Sequence, residues 1–270
     1  MGGTVKRGVS ATWLKYFACF FMLIDHFTAV LDPMAAIAAP DTLLYLLPRF
    51  LGRLAFPVFA YLLAEGCHKT SDLSTYIQRL FLFAIVAQVP FSLAFNTLSG
   101  NVIVTFFLAA AGISFYRSAR VYVPPVVAFL PVLLMAALAA LCDSDYGWMG
   151  VLIIFSVYLA RTRGRKLLAL ALWLVILYFV VPVLQVYESY LPYLLNGVPP
   201  SVLWADLVSG LHFWFPFWLP SFLVRTASAL LTLIPLYFYN GQRGKGGKYF
   251  FYFFYPAHLL ILSLLARCSV

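Results

Sequence analysis

Long apolar runs follow one another along this chain from residue 14 to residue 266, parted only by short polar or Pro/Gly breaks. Crossing the hydrocarbon of a bilayer takes ~20 such residues, so the chain has room for about nine crossings with short connections. A soluble fold has too little interior to hide these runs. The chain is 64% hydrophobic and 10% charged, against ~45–50% and ~25% for ordinary globular domains. Soluble domains, disulfide scaffolds, collagens and disordered chains are thereby excluded. The expected fold class is an all-α polytopic membrane protein.

The breaks define nine expected helices: 14–31, 51–65, 76–95, 101–116, 121–141, 147–160, 167–187, 222–239 and 249–266. The second begins earlier, near Leu43, with a kink at Pro48. Residues 188–221, where Asp206, His212 and several prolines interrupt an aromatic stretch, suit a re-entrant or interfacial segment at the outer face. The chain, 1–270, reads as a single transmembrane domain. With the N-terminus inside, all of the 18 lysines and arginines except Arg49, Arg53, Arg225 and Arg267 fall in cytoplasmic connections. A tenth span at 188–221 would carry the Arg243–Lys248 cluster outside, against the positive-inside rule. The expected topology is nine helices, N-terminus cytoplasmic and C-terminus outside. The sequence shows no internal repeat, which argues against a repeat-built transporter.

Residues 14–31 read as a retained span rather than a signal peptide. The run carries Asp25 and His26, and the small-residue Ala36-Ile37-Ala38 lies too far along. Gly2 opens no myristoylation motif, because position 6 is Lys. The net charge of +9 is spread in clusters between apolar runs, so it sets membrane orientation and implies no nucleic-acid partner. Cys19, Cys67, Cys142 and Cys268 have no CxxC or CxxH spacing, and no metal site is expected. Cys142 and Cys268 are the pair whose expected outer-face positions would allow a disulfide.

Ionisable side chains are costly in hydrocarbon, and each one within a span is a functional candidate. Counted from the cytoplasmic ends of their helices, His26, Arg53, His258 and Gln88 all lie ten to twelve residues deep, ~15–18 Å. Four helices thus bring polar groups to one level, as a buried reaction chamber requires. Asp25 and His26 are helical neighbours, ~100° apart, so Asp25 is expected to neutralise Arg53 while His26 points inward as a base. The competing reading is a buried Asp–Arg pair beside a hydrogen-bonded histidine. Arg53 has a planar fork suited to a carbonyl, a carboxylate or Asp25. His258, in Tyr255-Pro256-Ala257-His258, either joins the site or satisfies carbonyls freed by Pro256. Glu65 lies at the cytoplasmic lip, His68 reads as loop, and Gln88 either supports the site or repairs the break at Pro90. The Gly-rich basic segment Asn240–Lys248 offers backbone N–H groups and cations to a phosphate, or is simply a topogenic loop. A phosphate-bearing donor held there would reach up towards the midplane, with Arg79, Lys69 and Arg165 completing a cationic mouth.

These residues are also where the chain resembles a known family. Leu23-Ile-Asp25-His26, followed by Leu51-Gly-Arg53-Leu-Ala-Phe-Pro57 through Glu65-Gly66, is similar to the conjugative-pilin acetylation protein (TraX) family. Gln88-Val-Pro90-Phe91, Tyr146-Gly-Trp148-x-Gly150, Asn240-Gly241 through Arg243-Gly244, and Tyr252-x-x-Tyr255-Pro256-x-His258-Leu259 continue the resemblance from about residue 13 to 265. It implies a multi-span acyltransferase of the bacterial cytoplasmic membrane, related in fold to the acyltransferase-3 group, with an early active-site histidine that maps onto His26.

The expectation that follows is acetyl transfer from cytoplasmic acetyl-CoA, the acyl donor, to an amine or hydroxyl beyond the outer leaflet. Arg243, Lys245, Lys248 and Arg79 would hold the CoA nucleotide. His26 would act as base or, in a ping-pong variant, as nucleophile. Arg53, steered by Asp25, or else His258, would stabilise the oxyanion. Glu65, Gln88 and Tyr255 are candidate supporting residues. The acceptor is a protein N-terminus, a glycan or a lipid head group, and a homo-oligomer is compatible with this reading. The rival classes are a proton-coupled transporter or flippase using the same Asp/His/Arg cluster, and an assembly factor in which that cluster merely locks helices.

Overall fold

The computed structural model describes residues 8–32, 43–188 and 191–268, and among these no strand occurs beyond an isolated bridge between Val9 and Tyr239. The helices are α1 Ala11–Leu31, α2 Leu43–Gly52, α3 Ala55–Lys69, α4 Leu73–Phe95, α5 Val102–Ala119, α6 Pro125–Ala128, α7 Leu130–Leu141 and α8 Gly147–Leu159. After them come α9 Arg163–Val175, a π-helical turn Ile176–Val180, α10 Val181–Glu188, α11 Leu191–Leu195, α12 Pro200–Leu231, α13 Leu233–Tyr237 and α14 Lys248–Cys268. Among the described residues, seven helical stretches are long and apolar enough to cross a membrane, and two shorter apolar ones cover Pro125–Leu141 and Gly147–Leu159. All nine coincide with the runs expected from sequence.

Helix starts follow local chemistry. Ser10 accepts a hydrogen bond from Trp13 N, Asp72 from Thr75 N and Asn101 from Ile103 N, each satisfying an orphan donor of a first turn. Asp32 and Asn96 end α1 and α4 in the left-handed conformation that short polar side chains tolerate. α2 carries Pro48 without interruption, and the break falls at Arg53–Leu54 instead. Pro57 is the cause: its ring excludes the carbonyl four residues back, which is that of Arg53.

Residues 200–221, expected as a re-entrant or interfacial segment, form the first part of one continuous 32-residue helix that runs on into the span. Pro200 sits at its first position, where a missing N–H costs nothing. The side chains of Asp206 and His212 lie outside those described. All four cysteines are free thiols, Cys142 and Cys268 included.

α5 occupies the centre, packed on α4, α7 and α8. Its buried run Ala109–Gly112 lets backbones approach closely, with Met135 and Val132 against Gly112. α14 packs on α4 and α1, and α1 on α2 and α3. One face of the bundle holds the start of α1 and the 238–247 loop, joined by Asn240 N to Val9 O at 2.9 Å. The opposite face holds the 96–101 and 142–147 connections, joined by Gly100 N to Cys142 O at 3.0 Å and Asp145 N to Gly100 O at 2.8 Å.

Candidate active site

α1 and α14 bring two histidines together near that second face. His26 Nδ1 lies 2.8 Å from His258 Nε2, and His258 Nδ1 lies 2.6 Å from the Phe254 carbonyl oxygen. The rings are tilted by only 4° with centres 5.0 Å apart. That separation equals the hydrogen bond plus two ring radii, so the bond lies in the ring planes, as a good N–H donor requires. A carbonyl only accepts, so His258 Nδ1 carries a proton. In a neutral ring its Nε2 is then an acceptor, and His26 must donate from Nδ1. The lone pair of His26 is left on Nε2. His26 is half-buried and lines the cavity; His258, 6% exposed, stands behind it. Tyr255 is edge-on to His26 with ring centres 6.2 Å apart.

His258 departs from the sequence expectation in two ways. The carbonyl it binds is that of Phe254, whereas Pro256 frees that of Tyr252. Both its ring nitrogens are committed, so it has no N–H left for an oxyanion. Its Nε2 bond fixes the ring of His26 in place.

Asp25 pairs with two arginines rather than one. Its Oδ1 lies 2.8 Å from Arg49 Nη1 and 3.4 Å from Arg53 Nη2. Arg49 also donates to the Asp25 carbonyl at 3.0 Å, and Arg53 Nε donates to the Arg49 carbonyl at 3.2 Å. The expected Asp25–Arg53 pair is present, but Arg49 is the nearer partner and was missed. Its signal was the four-residue spacing from Arg53, which puts both on one helix face. Gly52 makes the arrangement possible: a Cβ there would collide with the Asp25 side chain.

The chamber between these groups has a volume of about 460 Å³. Its rim is stitched from the two connections of the second face. Gln88 donates to Ser99 O at 2.8 Å and accepts from Asn101 N and Nδ2 at 3.2 and 2.9 Å, so it fixes the rim rather than repairing the proline break. Ser99 Oγ donates to Asp143 at 2.6 Å. Thr105 donates to Ser144 Oγ at 2.9 Å. Asp143 and Tyr146 are held at φ 45° and 64°, a conformation that costs a non-glycine residue free energy and that clusters at functional sites. Asp145 is open to the chamber yet surrounded by protein. Loss of bulk water pushes its carboxyl up to about 6, against the pull of the Arg53 charge. Asp143 and Asp145 were not singled out from sequence.

The remaining candidates lie elsewhere. Glu65 pairs with the buried Lys166, and with Lys69 at 2.7 Å, and it does not line the chamber. His68 bonds the Tyr158 carbonyl at 2.8 Å. Arg79, Arg243 and Lys245 are exposed, and the Lys248 side chain lies outside those described. The 240–247 loop caps α1 with its carbonyls: Ala11 N donates to Gln242 O and Thr12 N to Arg243 O, both at 2.9 Å. Gly241, Gly244, Gly246 and Gly247 all have positive φ. Along α1, ~22 Å separates Ala11 from His26, so the loop and the chamber are at opposite ends of that helix.

The sequence profile of one family, described as TraX protein, matches residues 10–266. The probable fimbrial assembly protein FimC, serogroup H1, of Dichelobacter nodosus is 28% identical over 270 residues, covering 94% of each chain. No solved structure matches the chain.

Proposed function

The chain belongs to the TraX family, and from that membership we propose that it is a membrane-embedded acetyltransferase, taking acetyl from acetyl-CoA to an amine or hydroxyl on the far side of the bilayer. The observation that carries this reading is the fixed tautomer of His26. Its Nε2 lone pair meets a polar chamber beside a guanidinium, the pairing of base and oxyanion donor that acyl transfer needs.

In the proposed step the acceptor's nucleophile attacks the thioester carbon while His26 Nε2 takes its proton. The carbonyl oxygen becomes an oxyanion facing Arg53, whose place is held by Asp25. The intermediate then collapses: the carbon–sulfur bond breaks, and His26 returns the proton to the departing CoA sulfur. With the first face cytoplasmic, Arg79, Arg243 and Lys245 would hold the CoA phosphates. The donor's arm would then have to cover the length of α1 below His26.

The test is release of free CoA from acetyl-CoA by the detergent-purified protein, wild type beside His26→Ala. Release by wild type alone is the expected result. Equal release by both sinks the role given to His26. A labelled substrate carried across vesicles unmodified, with no CoA released, would make the protein a carrier.

A further inference from the structure

Beside the chamber lies a second cavity of about 600 Å³, and Arg49, Arg53 and Phe95 line both. Its far wall is Arg225, on the membrane-spanning part of α12. Arg49 and Arg53 spend donors on Asp25 and on backbone carbonyls. Arg225 makes no hydrogen bond or ion pair with any described residue. A guanidinium is costly within a span unless something neutralises it, and its fork fits two oxygens of an oxyanion. Three guanidiniums line this cavity with one carboxylate, Asp32, while Asp25 pairs with Arg49 and Arg53 from the chamber side and Asp143 and Asp145 line only the chamber, so this cavity keeps one positive charge in surplus. One monoanion balances it. A phosphomonoester carries close to two charges at neutral pH, whereas a phosphodiester carries one. The rest of the lining includes Leu46 and Phe50, apolar surface that suits organic groups esterified to the phosphate.

We propose that this cavity is an anion site that seats a phosphodiester group of the acceptor, with Arg225 as its main ligand and Arg49 and Arg53 as its border with the chamber. The anion would anchor the acceptor so that its amine or hydroxyl extends past Arg53 to His26 Nε2. Assignment of the anion to the acceptor rests on the acetyltransferase reading; the anion site itself does not.

The experiment titrates the full chain, in a neutral detergent, with two probes: dihexanoyl phosphatidylglycerol and glycerophosphoglycerol, the same diester without acyl chains. Wild type should bind at least one of them. Arg225→Gln should weaken that binding about tenfold or more, the loss of a charge-assisted bidentate contact, while Arg225→Lys recovers part of it and Arg161→Gln changes nothing. Binding of the diacyl probe alone identifies a lipid head group as the source; equal binding of both identifies the bare diester. In parallel, phenylglyoxal modification of Arg225 in the wild type, read by mass spectrometry, should slow when the bound probe is present. That readout decides the matter if Arg225→Gln does not fold. No binding of either probe, undiminished binding by Arg225→Gln, unprotected Arg225, or equal competition by hexanoate overturns the proposal. CoA release by the same preparation keeps the two readings apart. Arg225-dependent binding without CoA release removes the enzyme and leaves the anion site, and release without binding does the reverse.

Discussion

Gly52 and Asp25 share a volume that only one side chain can fill. The carboxylate reaches Arg49 and Arg53 because α2 presents a bare Cα at that point. Gly52→Ala should push Asp25 off both arginines, at about 1–3 kcal/mol of stability for an overpacked methyl. It should lower CoA release as well. Thermal unfolding and CoA release measure the two effects. Gly164→Ala, where an added Cβ meets nothing within 4 Å, should leave both unchanged.

The two histidines should not be equivalent. If His26 is the base, as proposed, His26→Ala should cost about 10²–10⁴-fold in turnover. His258→Ala leaves His26 in place and removes the bond that fixes its proton, so the loss should be about tenfold, the scale of one hydrogen bond. Turnover numbers for the two variants, normalised to folded protein, check the order. A larger loss for His258→Ala would reverse the roles.

Asp145 gives a pH signature. Its carboxyl is raised from 3.8 to about 6 in the folded chain, so the folded state holds this proton more tightly than the unfolded one. The associated stability is fully present below pH 3.8 and is lost as pH rises through about 6. Melting curves between pH 4 and 7 should fall more steeply for wild type than for Asp145→Asn. Parallel slopes would contradict the raised carboxyl.

Lys166 is expected to serve stability alone. It is 7% exposed and pairs with Glu65, and removing one partner of a buried ion pair typically costs about 3–5 kcal/mol. The second partner, Lys69, softens this. Lys166→Met should lower the unfolding midpoint while turnover per folded molecule holds.

Arg243 and Lys245 should govern donor affinity if they hold the CoA phosphates. Neutralising either should raise KM for acetyl-CoA and leave kcat unchanged. Wild-type KM should itself rise with salt, because exposed charges are screened beyond a Debye length of about 8–10 Å. A KM indifferent to ionic strength would move the donor site elsewhere.

The helices and the inner polar residues were legible because hydrocarbon makes both conspicuous. An apolar run must be long to cross, and His26, Arg53 and His258 stand out against it. Asp143 and Asp145 were invisible for the converse reason: in a connection outside the hydrocarbon a carboxylate is cheap, and nothing marks it. Arg49 hid beside Pro48, since the break that turns Arg53 towards Asp25 is set by Pro57 further on. Lys166 read as one more charge of an Arg/Lys cluster, and its burial against Glu65 depends on how α9 packs over α3. The order of protons through His258 could be found only with its neighbour's carbonyl in view.

That carbonyl has a bioenergetic consequence. A row of hydrogen bonds ending on Phe254 O is a cul-de-sac, because the last member has no hydrogen to pass on. Whatever His26 picks up on Nε2 must go back out through Nε2. Two imidazoles sit in the span without forming a wire between the compartments. In a bilayer that stores an electrochemical gradient, the histidine pair would therefore offer protons no path across.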